Sequence, residues 1–307
     1  MKKEAIFIIL IGLFLVTGCT QQNEGDTGGK VYIGGDQGLE ISFVEGDPPQ
    51  FVSDGNKESF DVVLLVKNVG EDDIETGDII ATLQNLNKDL FSLSSLSIAN
   101  NFDLEGKSKD RERILEGDQE ELPFSDLKYT GELDVDFDVE VRVDVCYEYT
   151  TKASIDLCLK RNPTQKKARD VCLVDNANVN VENSGAPVKI TNVEQFPRTD
   201  NIRFNFDIET PGEIYQPETF TNSCGIDDQK ENKLEVRLTS PSRVEIKCSK
   251  LDDGDEGVVE LFSGKRTITC TIPTEGLQDV AFKERLSVFV DYVYKDSVST
   301  SFTVEAD

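Results

Sequence analysis

The sequence predicts an all-β protein with two tandem immunoglobulin-like β-sandwich domains, placed after a lipoprotein signal peptide and a flexible tether. Three observations predict this fold class. Apolar residues alternate with period two over most of the chain, which is the signature of strands. Turn sequences recur between the strands, as at 46–49 and 263–264, and only 87–95 suggests a short helix. The length of 307 residues fits about two domains.

The chain begins with a sequence typical of a prokaryotic lipoprotein signal peptide. Two lysines precede an apolar run from Ala5 to Val16, which is too short for a comfortable membrane-spanning helix. The run ends in the letters VTGC, which resemble a lipobox, and in that class of signal the chain is cut just before the cysteine. Residues 1–18 are therefore the predicted signal peptide, and Cys19 is the predicted lipidation site. The alternative is an uncleaved anchor with a chance cysteine.

The polar, Gly-rich sequence after Cys19 is typical of a flexible linker. Residues 19–37 are thus predicted to be the lipidated cysteine and its tether. This N-terminus predicts an extracytoplasmic protein anchored to the outer face of the cell membrane, with the membrane bound through lipid on Cys19. Stable anchoring takes more than one acyl chain, because each buried methylene contributes only about 0.8 kcal/mol.

An internal repeat predicts where the two domains lie. Two V-x-V-x-Y-x-Y runs stand 145 residues apart, at 143–149 and 288–294. Each run is expected to be a strand that turns back, at 151–153 in the first copy, and pairs with the next strand as a hairpin. The alternative is that any two aromatic-rich strands look alike. The predicted β-sandwich domains are 38–182 and 187–307.

The first strand of this kind resembles a known family. The segment FDVVLLVKNVG at 60–70 looks like the strand-plus-N-x-G signature of Ig-like, CARDB-type and surface-layer-associated domains of archaeal and bacterial surface proteins. The hairpin predicted at 146–154 is similar to one in archaeal surface lipoproteins. The resemblance implies tandem sandwiches behind a lipobox, and it implies architecture rather than chemistry.

Six further cysteines predict disulfide bonds, since an even number in an exported chain points to an oxidised fold with 15 connectivities. Cys146 and Cys158 are expected on the solvent face of one hairpin, opposite each other. Cys158 and Cys172 instead bracket a loop, and this pairing is favoured because bonds directly across a strand pair are geometrically demanding. The six candidates are Cys146, Cys158, Cys172, Cys224, Cys248 and Cys270.

The remaining cysteines leave a choice. Cys248 and Cys270 are both predicted to point inward, as a core disulfide requires. A strand at 258–262 lies between them, and in one flat meander two strand spacings exceed the reach of a bond. The bond therefore requires their strands to lie in opposing sheets, and Cys224 could pair with either cysteine instead.

One loop departs from the acidic background of the sequence. Five cations lie within the 158–172 bracket, and they could form a docking patch for an acidic partner or a neighbouring acidic subunit. The alternative is a solvated loop that balances nearby negative charge. The five are Lys160, Arg161, Lys166, Lys167 and Arg169.

A cluster of carboxylates forms the second candidate site. Oxygen ligands grouped on a turn could hold calcium, although their spacing matches no defined loop. The alternative is an ordinary polar hairpin tip. The four residues are Asp252, Asp253, Asp255 and Glu256.

Composition excludes several classes of function. The chain has no histidine, so histidine triads, general bases and metal sites are excluded. A net charge of −27 argues against nucleic acid as a partner. We therefore expect no enzymatic activity and no cofactor apart from calcium. The predicted function is a non-catalytic surface lipoprotein for adhesion, envelope assembly or presentation of a binding face to envelope or surface proteins. The alternative is a ligand-binding or accessory lipoprotein of a secretion or uptake complex.

Overall fold

The computed structural model describes residues 30–111, 113–175, 177–217, 228–252 and 254–306. The all-β prediction is confirmed: these residues form nineteen strands, most of them antiparallel, and a short 3-10 turn at Asp228–Lys230. The strands, in chain order, are β1 (Leu39–Phe43), β2 (Phe51–Ser53), β3 (Phe60–Asn68), β4 (Ile79–Gln84), β5 (Ser97–Ala99), β6 (Ser108–Asp110), β7 (Arg113–Leu115), β8 (Gln119–Leu127), β9 (Phe137–Leu159), β10 (Ala177–Asn178), β11 (Val181–Asn183), β12 (Lys189–Pro197), β13 (Asn201–Glu209), β14 (Glu213–Tyr215), β15 (Lys233–Thr239), β16 (Lys247–Cys248), β17 (Glu256–Glu260), β18 (Lys265–Pro273) and β19 (Phe282–Glu305).

The helix expected at 87–95 does not form. The segment makes one tight turn, in which the Phe91 amide donates to the Asn87 carbonyl at 3.1 Å. The Asn87 side chain accepts hydrogen bonds from the next amides, Asp89 at 3.0 Å and Leu90 at 3.1 Å. An asparagine that satisfies nearby amides in this way favours a turn over a continuing helix.

The strands form three principal sheets. Two smaller sheets have the orders β1-β3-β8 and β10-β12-β13-β18-β16. The third, which we call the central sheet, has nine strands and the order β17-β15-β19-β9-β4-β5, with β11, β14 and β2 attached at its sides. Strands β6 and β7 make a separate hairpin. Inward-facing apolar side chains of all three sheets form one continuous hydrophobic core.

Two very long strands run through the middle of the central sheet. Strands β9 and β19 pair antiparallel along their whole length, from Leu159 opposite Phe282 to Phe137 opposite Val304. The turn predicted at 151–153 is therefore wrong, and so is the turn expected after the second V-x-V-x-Y-x-Y run. The chain stays extended because Thr151 continues the inward alternation: it is fully buried, and its hydroxyl donates to the Val188 carbonyl at 2.9 Å.

The two copies of the repeat lie next to each other in this strand pair. Tyr147 is opposite Tyr294, and Tyr149 is opposite Tyr292, so each copy pairs with the other around a local centre near Glu148. The neighbours match as well, because β4 flanks β9 as β15 flanks β19. The sheet β1-β3-β8 likewise has a counterpart in β12-β13-β18. This arrangement supports an internal duplication.

The ends of the long strands cross between the two halves of the chain, 31–182 and 187–306. Near the end of β19, the Phe302 ring lies 5.2 Å from that of Phe60 in the first half. Near the end of β9, Cys158 bonds through both its amide and its carbonyl to the Gln195 side chain, at 3.2 and 2.7 Å. Residues 31–307 cluster as one unit. The domain boundary at 182–187 stays a prediction, because the end of β19 packs against the first half and the end of β9 bonds to the second half.

The N-x-G motif forms a corner against the central sheet. The Asn68 amide group donates to the carbonyls of Asp72 and Leu104, at 2.7 and 3.2 Å. Its carbonyl oxygen accepts from the Tyr149 hydroxyl at 3.2 Å. A Cβ at Gly70 would lie 1.9 Å from that hydroxyl, so only glycine fits there. Burial raises the pKa of Tyr149 well above its usual value, which keeps its hydroxyl a hydrogen-bond donor.

The last part of the predicted tether is bound to the fold. The Glu71 carboxylate accepts from the amides of Ile33 at 2.9 Å, Gly34 at 2.8 Å and Gly185 at 2.6 Å. The Val31 amide donates to the Glu182 carboxylate at 2.7 Å. Residues 31–37 are therefore not flexible linker, since acidic side chains satisfy their backbone donors beside the junction of the two halves.

Candidate functional site

The loop at 160–173 follows directly from the end of β9 and is closed by a disulfide. Cys158 and Cys172 are bonded, with their Cα atoms 5.9 Å apart. A bond that closes a loop of this length contributes about 3 kcal/mol in the chain-entropy model. The covalent link therefore restricts the conformations of the whole loop, and the favoured pairing is the one present.

A buried ion pair braces the inside of the 160–173 loop. The Lys160 ammonium lies 2.5 Å from the Asp170 carboxylate and donates to the Gln165 carbonyl at 2.5 Å. The two charged side chains are only 2% and 4% exposed. Asp170 also accepts from the amides of Lys167 and Ala281, at 2.7 and 3.0 Å. These contacts, led by the Lys160 hydrogen bond, lower the pKa of Asp170 to about 2, so its carboxylate stays charged.

Two of the five predicted docking cations instead hold the loop in place. Lys160 is not available to a partner, because its ammonium group is buried inside the loop and forms an ion pair with Asp170. Arg161 donates from its side chain to the Leu277 carbonyl at 3.0 Å, and its guanidinium lies 3.8 Å from Asp279. Lys160 therefore braces the loop from inside, and Arg161 fixes the loop against the segment that precedes β19.

The outer surface of the loop combines positive charge with apolar side chains. Lys166, Lys167 and Arg169 are exposed. Beside them, Val171 is 71% exposed and Leu173 is 50% exposed, and sequence reasoning missed both. The available signal was their position on either side of Cys172, since a bond that turns this side chain toward the fold turns its neighbours outward. The surface is thus stiff, cationic and partly apolar.

The second disulfide joins neighbouring strands. Cys248 in β16 is directly opposite Cys270 in β18, and the two are bonded with Cα atoms 3.9 Å apart. The expectation of opposing sheets is wrong, because the intervening strand β17 leaves this sheet and pairs with β15 in the central sheet. Because β17 lies in the central sheet, β16 pairs directly with β18.

Cys146 also differs from its predicted setting. It is fully buried and disulfide-bonded, and it lies on the same strand as Cys158, so the proposed cross-strand arrangement of these two is wrong. Neither of them faces solvent. Cys19 and Cys224 lie outside the described residues, as does Asp253 of the predicted calcium cluster.

The described part of the calcium cluster does not converge. Asp252, Asp255 and Glu256 are exposed, and no group of three or more potential metal ligands comes together among the described residues. The Asp255 carbonyl instead accepts from the Leu238 amide at 2.8 Å, which fixes the turn. Calcium binding there stays a prediction. The adjoining cavity of about 790 Å³ has no aromatic residue among the described ones that line it.

Two carboxylates in the central sheet have raised pKa values. Burial, followed by the charges of Asp78 and Asp291, raises the pKa of Glu148. Burial is also the main cause of the raised pKa of Asp291, which accepts from the Thr150 hydroxyl at 2.8 Å. Asp291 borders a small cavity of about 280 Å³, but Glu148 is not among the described residues that line it.

No protein-family model matches the chain, and no curated protein sequence matches it. Among solved structures, it is similar at 10% identity and a TM-score of 0.18 to the secreted serine protease VesC from Vibrio cholerae. That match covers 84% of this chain and 51% of the protease, and it is too weak to bear on fold or chemistry. Within the described residues, no helix has the length and apolar character needed to span a membrane.

Proposed function

We propose that the chain is a non-catalytic, lipid-anchored cell-surface protein that binds an acidic envelope partner through its 160–173 loop. The observation that carries the proposal is the contrast between the two sides of this loop. Its inner side is fixed by the Cys158–Cys172 bond and the Lys160–Asp170 pair. Its outer side presents three exposed cations in a protein of net charge −27.

Rigidity supports a binding role for this loop. A segment that is already held in one conformation loses little entropy when it docks, so more of the contact energy appears as affinity. Lys166, Lys167 and Arg169 supply attraction to negative charge, and Val171 and Leu173 supply apolar surface that a partner can bury. A loop that merely balanced local charge would need neither the brace nor the exposed apolar pair.

The anchoring part of the proposal rests on the sequence. The lipobox-like VTGC and the polar linker support lipidation of Cys19, and the disulfides fit an oxidising, extracytoplasmic setting. The resemblance to CARDB-type surface domains is part of the same proposal. A Cys19→Ser variant is expected to leave the membrane fraction and appear in the medium. Full retention in the membrane would contradict lipid anchoring.

A charge-reversal variant tests the docking role. We expect Lys166→Glu with Lys167→Glu and Arg169→Glu to reduce capture of envelope proteins by the mature lipoprotein on intact cells at least tenfold. The matched control reverses three exposed cations elsewhere, Lys88, Lys109 and Arg113, and should leave capture unchanged. Equal capture by the loop variant and the wild type would refute the docking role, provided that both unfold at the same temperature.

A further inference from the structure

The β9–β19 pair has chemically opposite ends. The register runs from Leu159–Phe282 at one end to Phe137–Val304 at the other. At about 3.3 Å per residue, the 22 steps of β9 span roughly 73 Å. The 160–173 loop continues from the Leu159 end. The sequence at the Phe137 end is acidic.

We call the Phe137 end the acidic end and define it as residues 132–138 together with Phe51 and Glu305. Every charged residue in the stretch 132–138 is a carboxylate, and all four are exposed. Large apolar side chains lie among them: Val135 is 73% exposed and Phe137 is 52% exposed. Phe51 on β2 is also exposed, next to the end of β19. The acidic residues are Glu132, Asp134, Asp136, Asp138 and Glu305.

Hydrogen bonds hold the acidic end in place. The buried Asp54 carboxylate accepts from the Leu133 amide at 2.8 Å. Asp136 accepts from the Ala306 amide at 3.0 Å, and Asp138 accepts from the Thr303 hydroxyl at 2.8 Å. These bonds tie the segment before β9 to the end of β19, so its charges and apolar groups have fixed positions.

We propose that copies of this protein associate head to tail, with the 160–173 loop of one copy bound to the acidic end of the next. This inference rests on the proposed docking role of the loop and names its partner as a second copy of the chain. The match is twofold. The three exposed cations of the loop of one copy would pair with the carboxylates of the acidic end of the next. Val171 and Leu173 of the loop would pack against Val135 and Phe137 of that end. Such a heterologous contact leaves one loop and one acidic end unused, so it extends into a chain or closes into a ring.

The position of the N-terminal segment is compatible with this association. Val31 bonds to Glu182, and the adjacent Asn183 is opposite Ala153 on β9. Ala153 is only five residues from Glu148 at the centre of the β9–β19 pair. The described chain therefore enters the fold near the middle of the long strands, away from the loop and from the acidic end.

Zero-length carbodiimide cross-linking tests the proposal, because it joins a lysine only to a carboxylate in direct contact. The mature lipoprotein, on intact cells or in vesicles, should give links from Lys166 or Lys167 to Asp134, Asp136 or Asp138. Such links must be intermolecular, since the two ends of one copy are roughly 73 Å apart.

A charge swap provides the decisive control. The loop variant Lys166→Glu, Lys167→Glu, Arg169→Glu should lose these oligomers at least tenfold when it is alone. The variant with the exposed Glu132, Asp134 and Glu305 changed to lysine, which keeps the hydrogen bonds of Asp136 and Asp138, should do the same. A mixture of the two variants should regain cross-linked oligomers, because the reversed loop then meets a reversed end.

The outcomes separate this proposal from the docking role. If no oligomer or link forms with wild-type protein, or if the mixture is not rescued, head-to-tail association is wrong. If the loop variant then still loses capture of an envelope protein, the loop docks to a different acidic partner. If capture is also unchanged, both proposals fail.

Discussion

Replacement of Phe302 by alanine tests whether the end of β19 belongs to the core of the first half. The ring is buried and packs edge-on against Phe60 and Phe91, with centroid distances of 5.2 and 6.0 Å. Loss of a buried phenylalanine ring costs about 3–5 kcal/mol of unfolding free energy. In a protein of this size each kcal/mol lowers the Tm by about 2–4 °C, so we expect a drop of roughly 6–20 °C.

The assay must also show where the fold loosens. Amide exchange of β3 in the first half should accelerate more than that of β13 in the second half, because Phe302 packs on Phe60. Phe289→Ala is the matched control: this ring lies on the same strand, is only half-buried and stacks with Arg237 at 4.4 Å. The packing of the end of β19 in the first half is refuted if Phe302→Ala lowers the Tm no more than Phe289→Ala does. It is also refuted if faster amide exchange is confined to β13.

Three further predictions follow from the corner, the central sheet and the loop. Gly70→Ala should destabilise the fold by about 1–3 kcal/mol, because its Cβ would overlap the Tyr149 hydroxyl, and Tyr149→Phe should recover part of the loss in a double variant measured by urea unfolding. Glu148→Gln should be more stable than wild type at pH 7. Burial raises the folded-state pKa of Glu148, so its contribution is intact below the unfolded pKa of about 4.3 and is lost as pH rises through the folded value. A wild-type-minus-variant stability difference that is flat from pH 4 to 7 would contradict this. Cys158→Ser with Cys172→Ser should lower the unfolding free energy by about 3 kcal/mol and weaken partner capture although every loop cation remains. Undiminished capture would show that the loop needs no bracing.

The alternation of apolar residues with period two was sufficient to predict strands, but the local sequence could not show where the strands end. At 151–153 the chain reads Thr-Lys-Ala, which has no glycine, proline or asparagine and is equally consistent with a turn and a continuous strand. Tertiary contacts decide the outcome. The Thr151 hydroxyl bonds to Val188 and Tyr292, and the partner strand β19 pairs with β9 along its whole length. The repeat was visible in sequence, whereas the pairing of its two copies was not.

The candidate site shows the same limit. The loop and its bracket were visible because cysteines and cations are recognised by residue type. That Lys160 is buried could not be predicted, because it depends on Asp170 and on Ala281 from a distant segment. The Cys248–Cys270 bond was predicted because both side chains were expected to point inward. Its geometry depends on β17, which pairs with β15 in the central sheet and so leaves β16 next to β18. Which sheet a strand joins depends on contacts between distant parts of the chain, so it cannot be predicted from the spacing of residues along the sequence.

The central claim is that the 160–173 loop is a docking surface for acidic protein. The most direct measurement places a photoreactive amino acid at Ala168, an exposed position between Lys167 and Arg169, in the mature lipoprotein on intact cells. We predict one dominant adduct, joined to an acidic surface of a second copy or of another envelope protein and lost on reversal of Lys166, Lys167 and Arg169. Absence of any specific adduct, or an adduct unchanged by the reversal, would contradict the claim.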